Sequence, residues 1–150
     1  LEITANVLVD YEGPLAPRVA GQLWSGLSSA ALDSGPGKTK TTAIWDSLRA
    51  SSEPEKPDIS ARIFVMDQDF PEAVDHLSPL GSANTLYGLV LAVPEPPSPL
   101  AGPLLYQGVE RLKELGVRAG NIEPVLLRAA STEECERYSL RLLERLKIHR

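Results

Sequence analysis

Two short-spaced acidic pairs are the residues best suited to chemistry: Asp10 with Glu12, and Asp67 with Asp69. The first pair follows the apolar alternation of Leu1 to Val9, and the second follows the run Ile63-Phe64-Val65-Met66. In open α/β sheets, ligands bind at the carboxyl ends of the strands. If the two strands are parallel neighbours, the four carboxylates converge there. Hard oxygen donors of this kind suit Mg²⁺, which keeps several of its waters. A metal held in that way supports in-line phosphoryl transfer. A plainer expectation competes with this one. Asp67 and Asp69 precede Pro71, and acids at such a place cap the helix that proline opens.

Glu12-Gly13-Pro14 followed by Asp67-Gln68-Asp69 resembles the metal site of toprim-type domains, where a Glu follows one strand and an Asp-x-Asp pair follows another. Asp10-Tyr11-Glu12 with Asp67-Gln68-Asp69-Phe70 is similar to motifs of NYN-type ribonucleases, although Gly13 or Pro14 stands where that family has Asn. Both resemblances imply a Mg²⁺ site on Asp10, Glu12, Asp67 and Asp69. They rest on about a dozen residues of the 150.

Other strings lack the context their chemistry needs. Gly35-Pro36-Gly37-Lys38-Thr39 suggests a nucleotide loop, but Leu32 stands where the first glycine belongs and a helix, not a strand, precedes it. Leu127 to Ser131 resembles the end of a small GTPase, without the Asn-Lys-x-Asp segment that reads guanine. Gly26-Leu27-Ser28-Ser29-Ala30 falls inside a predicted helix, whereas a nucleophilic Ser needs a tight strand-to-helix turn. The two histidines, His76 and His149, form no triad and, with Cys135, no zinc signature. Cys135 opens the last helix among Glu133, Glu134 and Glu136, whose charge opposes a thiolate.

Composition narrows the classes. A chain of 150 residues, 43% apolar and 23% charged, is expected to form a single domain over residues 1–150. Its net charge of −5 disfavours nucleic-acid backbones. The basic end, from Arg141 through Arg145 and Lys147 to Arg150, suits a helix C-terminus. One cysteine permits no internal disulfide, which fits an intracellular, reducing compartment, cytoplasmic or nuclear. The longest apolar stretch, Leu86 to Pro94, is too short to span a membrane. The sequence opens on Leu1 and not Met, as a fragment of a longer protein would.

These residues need elements to position them. Alternation over Leu1 to Val9 predicts a strand with one wet face, placed at a sheet edge. Val19, Leu23 and Leu27 predict a helix over about 17–32, in which Gly21, Gly26, Ser28 and Ser29 permit close packing on a sheet. Ile44, Trp45 and Leu48 suggest a short helix over 41–48, and residues 50–58 a solvated loop. Apolar runs at Ile63–Met66, Leu86–Val93 and Ile122–Leu127 predict buried strands. A short helix starts at Pro71. Five prolines make 94–103 a stiff loop with two PxxP spacings, of the kind proline-recognition domains take. Helices are predicted over 104–115 and from Ser131, where Ser131 and Glu134 form a capping box.

The alternation of strand and helix predicts a three-layer α/β/α sandwich on a mainly parallel sheet of about four strands. The function expected from this set is a non-catalytic protein-protein interaction or assembly domain, without a cofactor. An apolar patch near Trp24, Trp45 or Tyr106 would meet the partner. The alternative is a Mg²⁺-dependent phosphoryl-transfer or nuclease-like domain on the acidic cluster.

Overall fold

The computed structural model describes residues 3–33, 39–47, 60–79 and 83–149, with side chains for 7–27, 60–79 and 83–146. The elements run β1 (Ile3–Tyr11), α1 (Ala16–Asp33), β2 (Thr39–Ser47), β3 (Ala61–Asp67), a 3-10 helix (Pro71–His76), β4 (Leu86–Val93), α2 (Ala101–Glu114), a 3-10 turn (Ala119–Asn121), β5 (Ile122–Arg128) and α3 (Thr132–His149). The strands form one parallel sheet in the order β2-β1-β3-β4-β5. Helices cover both faces, so the molecule is a three-layer α/β/α sandwich.

Two expectations are corrected. The helix expected over 41–48 is not formed by its described part, 41–47: Thr39–Ser47 is β2, paired in parallel with β1 from Ile3↔Thr39 to Tyr11↔Ser47. Thr39, Thr41, Thr42 and Ile44 are β-branched and Trp45 is aromatic, and such residues suit a pleated surface. That fifth strand takes the edge. β1 therefore lies inside the sheet, between β2 and β3. Its second face is not wet at the carboxyl end, since Leu8 and Asp10 are as buried as Val7 and Val9.

The strict alternation of each strand divides the core in two. Val7, Val9, Ile63, Val65 and Val90 pack with Leu23 and Leu27 of α1 and Tyr138 and Leu142 of α3. Phe64, Met66, Leu89 and Leu91 pack on the other face with Leu104 and Leu112 of α2 and Ala73 of the first 3-10 helix. β3 and β4 are buried along their whole length, as their unbroken apolar runs predict.

Of the small residues of α1, Gly26 serves helix packing and not sheet packing, and Gly21 meets nothing within 4 Å. A Cβ on Gly26 would meet Ser139 Oγ of α3 at 2.8 Å, so glycine lets the two helices close together. The predicted capping box of α3 is half formed. Ser131 Oγ accepts from the Glu134 amide at 3.2 Å, but the Glu134 carboxylate accepts from the Arg128 amide (3.1 Å) and Nε (2.7 Å) instead. That contact with Arg128 holds the Glu134 carboxyl below its ordinary range.

α2 begins earlier than predicted, at Ala101, and takes Pro103 into its first turn, where a missing N–H costs no helical bond. The turn at Gly35–Lys38 and the loop at 50–58 lie outside the described residues. Among the described residues, no helix is long and apolar enough to cross a membrane.

Candidate functional site

In this strand order, the connections from β1 and β3 leave toward opposite faces of the sheet, and the crevice between their carboxyl ends is the switch point where such folds bind ligands. The sequence places its acids there: Asp10 and Glu12 at the end of β1, Asp67 and Asp69 at the end of β3. The two strands are parallel neighbours, as the metal reading requires. Each carboxylate nevertheless goes a separate way.

Register explains the first separation. Asp10 lies opposite Phe64, and Asp67 stands three residues beyond Phe64 on β3. An odd step along a strand reverses the face, so Asp10 and Asp67 point to opposite sides of the sheet. On the α2 side, Asp10 Oδ2 meets Arg62 Nη2 at 2.8 Å, with both side chains almost fully buried. Arg62 also lies 4.9 Å over the Phe64 ring, and Phe64 stacks on Tyr87. Burial pushes the Tyr87 hydroxyl up, and the Arg62 charge partly offsets it.

On the α1 side, the Asp67 carboxylate is wholly buried. One oxygen accepts the backbone N–H of Leu15 and, at 3.2 Å, that of Ala16. The other accepts the Asp69 N–H at 2.8 Å. The start of α1 is thus capped from a different strand, 51 residues along the chain. Asp67 is an N-cap after all, but of α1 and not of the helix at Pro71. Neither side-chain oxygen nor hydroxyl caps that 3-10 helix. Gly13 allows the approach. Its φ is +114°, and a Cβ there would lie 2.3 Å from Asp67 Cβ.

Glu12 turns to a third partner. Its amide bonds the Val65 carbonyl at 3.1 Å, and its buried carboxylate sits 2.7 Å from His76 Nδ1. His76 is about half exposed. Asp69 is exposed. Among the described residues, no three His, Cys, Asp or Glu side chains come together as ligands of one metal ion. Sequence reasoning missed Arg62 and His76. A lone Arg heading an apolar run hinted at the first, because a buried cation needs an acid. Nothing in the sequence linked His76 to a carboxylate 64 residues away.

One strand further along, the carboxyl edge is open. A cavity of about 390 Å³ lies between the β3 turn and the start of α2. Pro71, Leu100, Pro103 and Leu104 give its apolar wall, and Gln68, Asp69, Ser98 and Gln107 its polar one. The proline loop is fastened beside it. The Ser98 amide donates to Gln68 Oε1 at 2.9 Å, and the Leu100 amide to Ser98 Oγ at 3.1 Å. Leu100, just before α2, is 72% exposed and Tyr106, on α2, 64%. Among the described residues no cation lines the cavity, and Asp69 in its wall is exposed.

Trp24 is half-buried on α1, and the Trp45 side chain lies outside the described residues. Cys135 is buried, and its thiol is pushed up to about 11 by burial and by Glu134 and Glu136. Among the described basic side chains of α3, Arg145 pairs with Glu123 and donates to the Gly120 carbonyl, Arg137 pairs with Glu133, and Arg141 lies over Tyr138.

No family model matches the chain, and no curated protein does. Among solved structures, it is similar to a short-chain flavodoxin associated with a non-canonical PDU bacterial microcompartment. The identity is 13%, the TM-score 0.54, and the match covers 96% of this chain and 99% of that one. The likeness shows the α/β fold.

Proposed function

We propose that this domain is a non-catalytic interaction module, which takes a segment of a protein partner in the groove between the β3 turn and α2. One observation carries the reading: the groove is open, apolar on one wall and braced by backbone amides that donate to the Gln68 and Ser98 side chains, with Leu100 72% exposed beside it. A formed groove with an apolar wall and a few convergent polar groups is the default candidate for a binding surface, and Leu100 adds apolar surface at its edge. Asp69 selects the partner's chemistry, since an acid in a groove whose described lining holds no cation favours an apolar side chain flanked by Lys or Arg. The free, protonated Cys135 suits an intracellular, reducing compartment.

Two ligand-based readings find less support. In sheets of this order, flavin mononucleotide binds at the β1–β3 switch point. The residues here do not fit it, because the start of α1 that would receive its phosphate already holds Asp67. The Mg²⁺-dependent alternative needs Asp10, Glu12, Asp67 and Asp69 around one ion. Asp10 and Asp67 face opposite sides of the sheet, and Asp10 and Glu12 hold Arg62 and His76.

The test is a ¹H–¹⁵N NMR titration of the chain with two synthetic peptides, one with Leu between arginines and one with Leu between glutamates. The basic peptide is expected to move the amides of Gln68, Asp69, Ser98, Leu100 and Gln107, and the Leu100→Asp variant to lose the response. Equal response to both peptides, or shifts confined to another face, contradicts the reading.

A further inference from the structure

We infer that Asp67 is a built-in anion, whose carboxylate fills the phosphate position of the β1–β3 crevice and closes that crevice to flavin and nucleotide phosphates. A helix start offers unpaired N–H groups and a positive dipole end, and in folds of this class both meet a ligand anion. Here the Leu15 and Ala16 amides donate to one Asp67 oxygen, and the Asp69 amide holds the other. The carboxylate is wholly buried, so no water competes for those donors. Gly13, at φ +114°, leaves no room between the β1–α1 turn and Asp67.

A phosphate entering this crevice faces two routes, and both are unfavourable. Displacing Asp67 strands a buried carboxylate without the donors that satisfy it. Binding beside Asp67 places like charges together, with the buried Glu12 carboxylate on the same turn adding to the repulsion. The start of α1 therefore needs no ligand to be satisfied. This inference is independent of the groove, since it concerns the other side of β3.

The experiment titrates the full chain with flavin mononucleotide, followed by flavin fluorescence, and with inorganic phosphate, followed by thermal melting. The parent is expected to quench no flavin saturably and to show no phosphate-specific rise in Tm over chloride at equal ionic strength. Asp67→Ser removes the carboxylate and frees the amides. It is expected to gain a phosphate-dependent rise of roughly 2–4 °C, the shift that about 1 kcal/mol of native-state binding gives a domain of this size. Asp67→Asn, which keeps the side-chain shape but loses one accepting oxygen, is expected to gain a smaller rise. Saturable flavin or phosphate binding by the parent overturns the inference. A folded Asp67→Ser protein indifferent to phosphate also overturns it. If neither variant folds, the parent's amide spectrum decides: Leu15 and Ala16 resonances unmoved by phosphate support the inference, and moved ones refute it.

Discussion

Two neighbouring crevices at the carboxyl edge of one sheet use their polar residues in opposite ways. Between β1 and β3, three of the acids turn inward: Asp10 to Arg62, Glu12 to His76 and Asp67 to the start of α1. Between β3 and α2, Gln68 and Ser98 hold each other so that the groove stays formed, and Asp69 and Leu100 face out. The first arrangement consumes its charges in holding the fold together. The second leaves surface available. A position can thus be the usual ligand site of its fold class and yet be structural, because what decides is whether its donors and acceptors are already satisfied.

The comparison breaks most visibly at Arg62. Replacing it with Met leaves Asp10 buried without its guanidinium, which costs on the order of 3–5 kcal/mol. Thermal melting of Arg62→Met should show a fall in Tm of roughly 10 °C or more. The double variant Asp10→Leu, Arg62→Met should recover a large part of it, since no lone charge remains. A single variant as stable as the parent would mean that the closed crevice owes little to this pair.

Asp67→Asn comes next. Losing an accepting oxygen at the start of α1 should cost about 1–3 kcal/mol by urea denaturation. Amide exchange at Leu15 and Ala16 should quicken more than exchange in α2. Uniform quickening would show that Asp67 serves general packing and not the cap.

These two positions also show how far the sequence was legible. Apolar runs located β3 and β4, and the capping signal at Ser131 located α3, because burial on both faces and helix caps leave local marks; the run at 122–127 also located a strand, but β5 is an edge strand with Pro124 and Leu126 exposed and not the buried strand expected. Asp10, Glu12, Asp67 and Asp69 were correctly assigned to strand ends. Their separation was not legible, because it depends on the register Asp10↔Phe64, which no single strand records. The cap of α1 was hidden for the same reason, since its donors lie at the start of α1 after β1 and its acceptor at the end of β3. β2 was mistaken for a helix because Ile44, Trp45 and Leu48 share a helical stripe, and its four β-branched residues at 39–44 were the better signal. The groove drew in residues from the β3 turn and the proline loop, which approach only through the hydrogen bond of Ser98 to Gln68.

Smaller effects sharpen the contrast. Leu100→Asp should leave stability within about 0.5 kcal/mol of the parent, because the side chain is already exposed, while abolishing response to the basic peptide. Loss of stability instead would make Leu100 part of the core. Millimolar Mg²⁺ should change the parent's Tm by less than about 1 °C, since a metal that binds only the native state must raise it. A clear rise that Asp67→Ala, Asp69→Ala abolishes would revive the phosphoryl-transfer reading.

The most direct test of the closed and open crevices is one parent ¹H–¹⁵N spectrum recorded with flavin mononucleotide, then Mg²⁺, then the basic peptide. The account predicts that Leu15 and Ala16 stay unmoved throughout, while Gln68, Asp69, Ser98 and Leu100 shift with the peptide alone. Saturable shifts of Leu15 and Ala16 with flavin or Mg²⁺, and a silent groove, would contradict it.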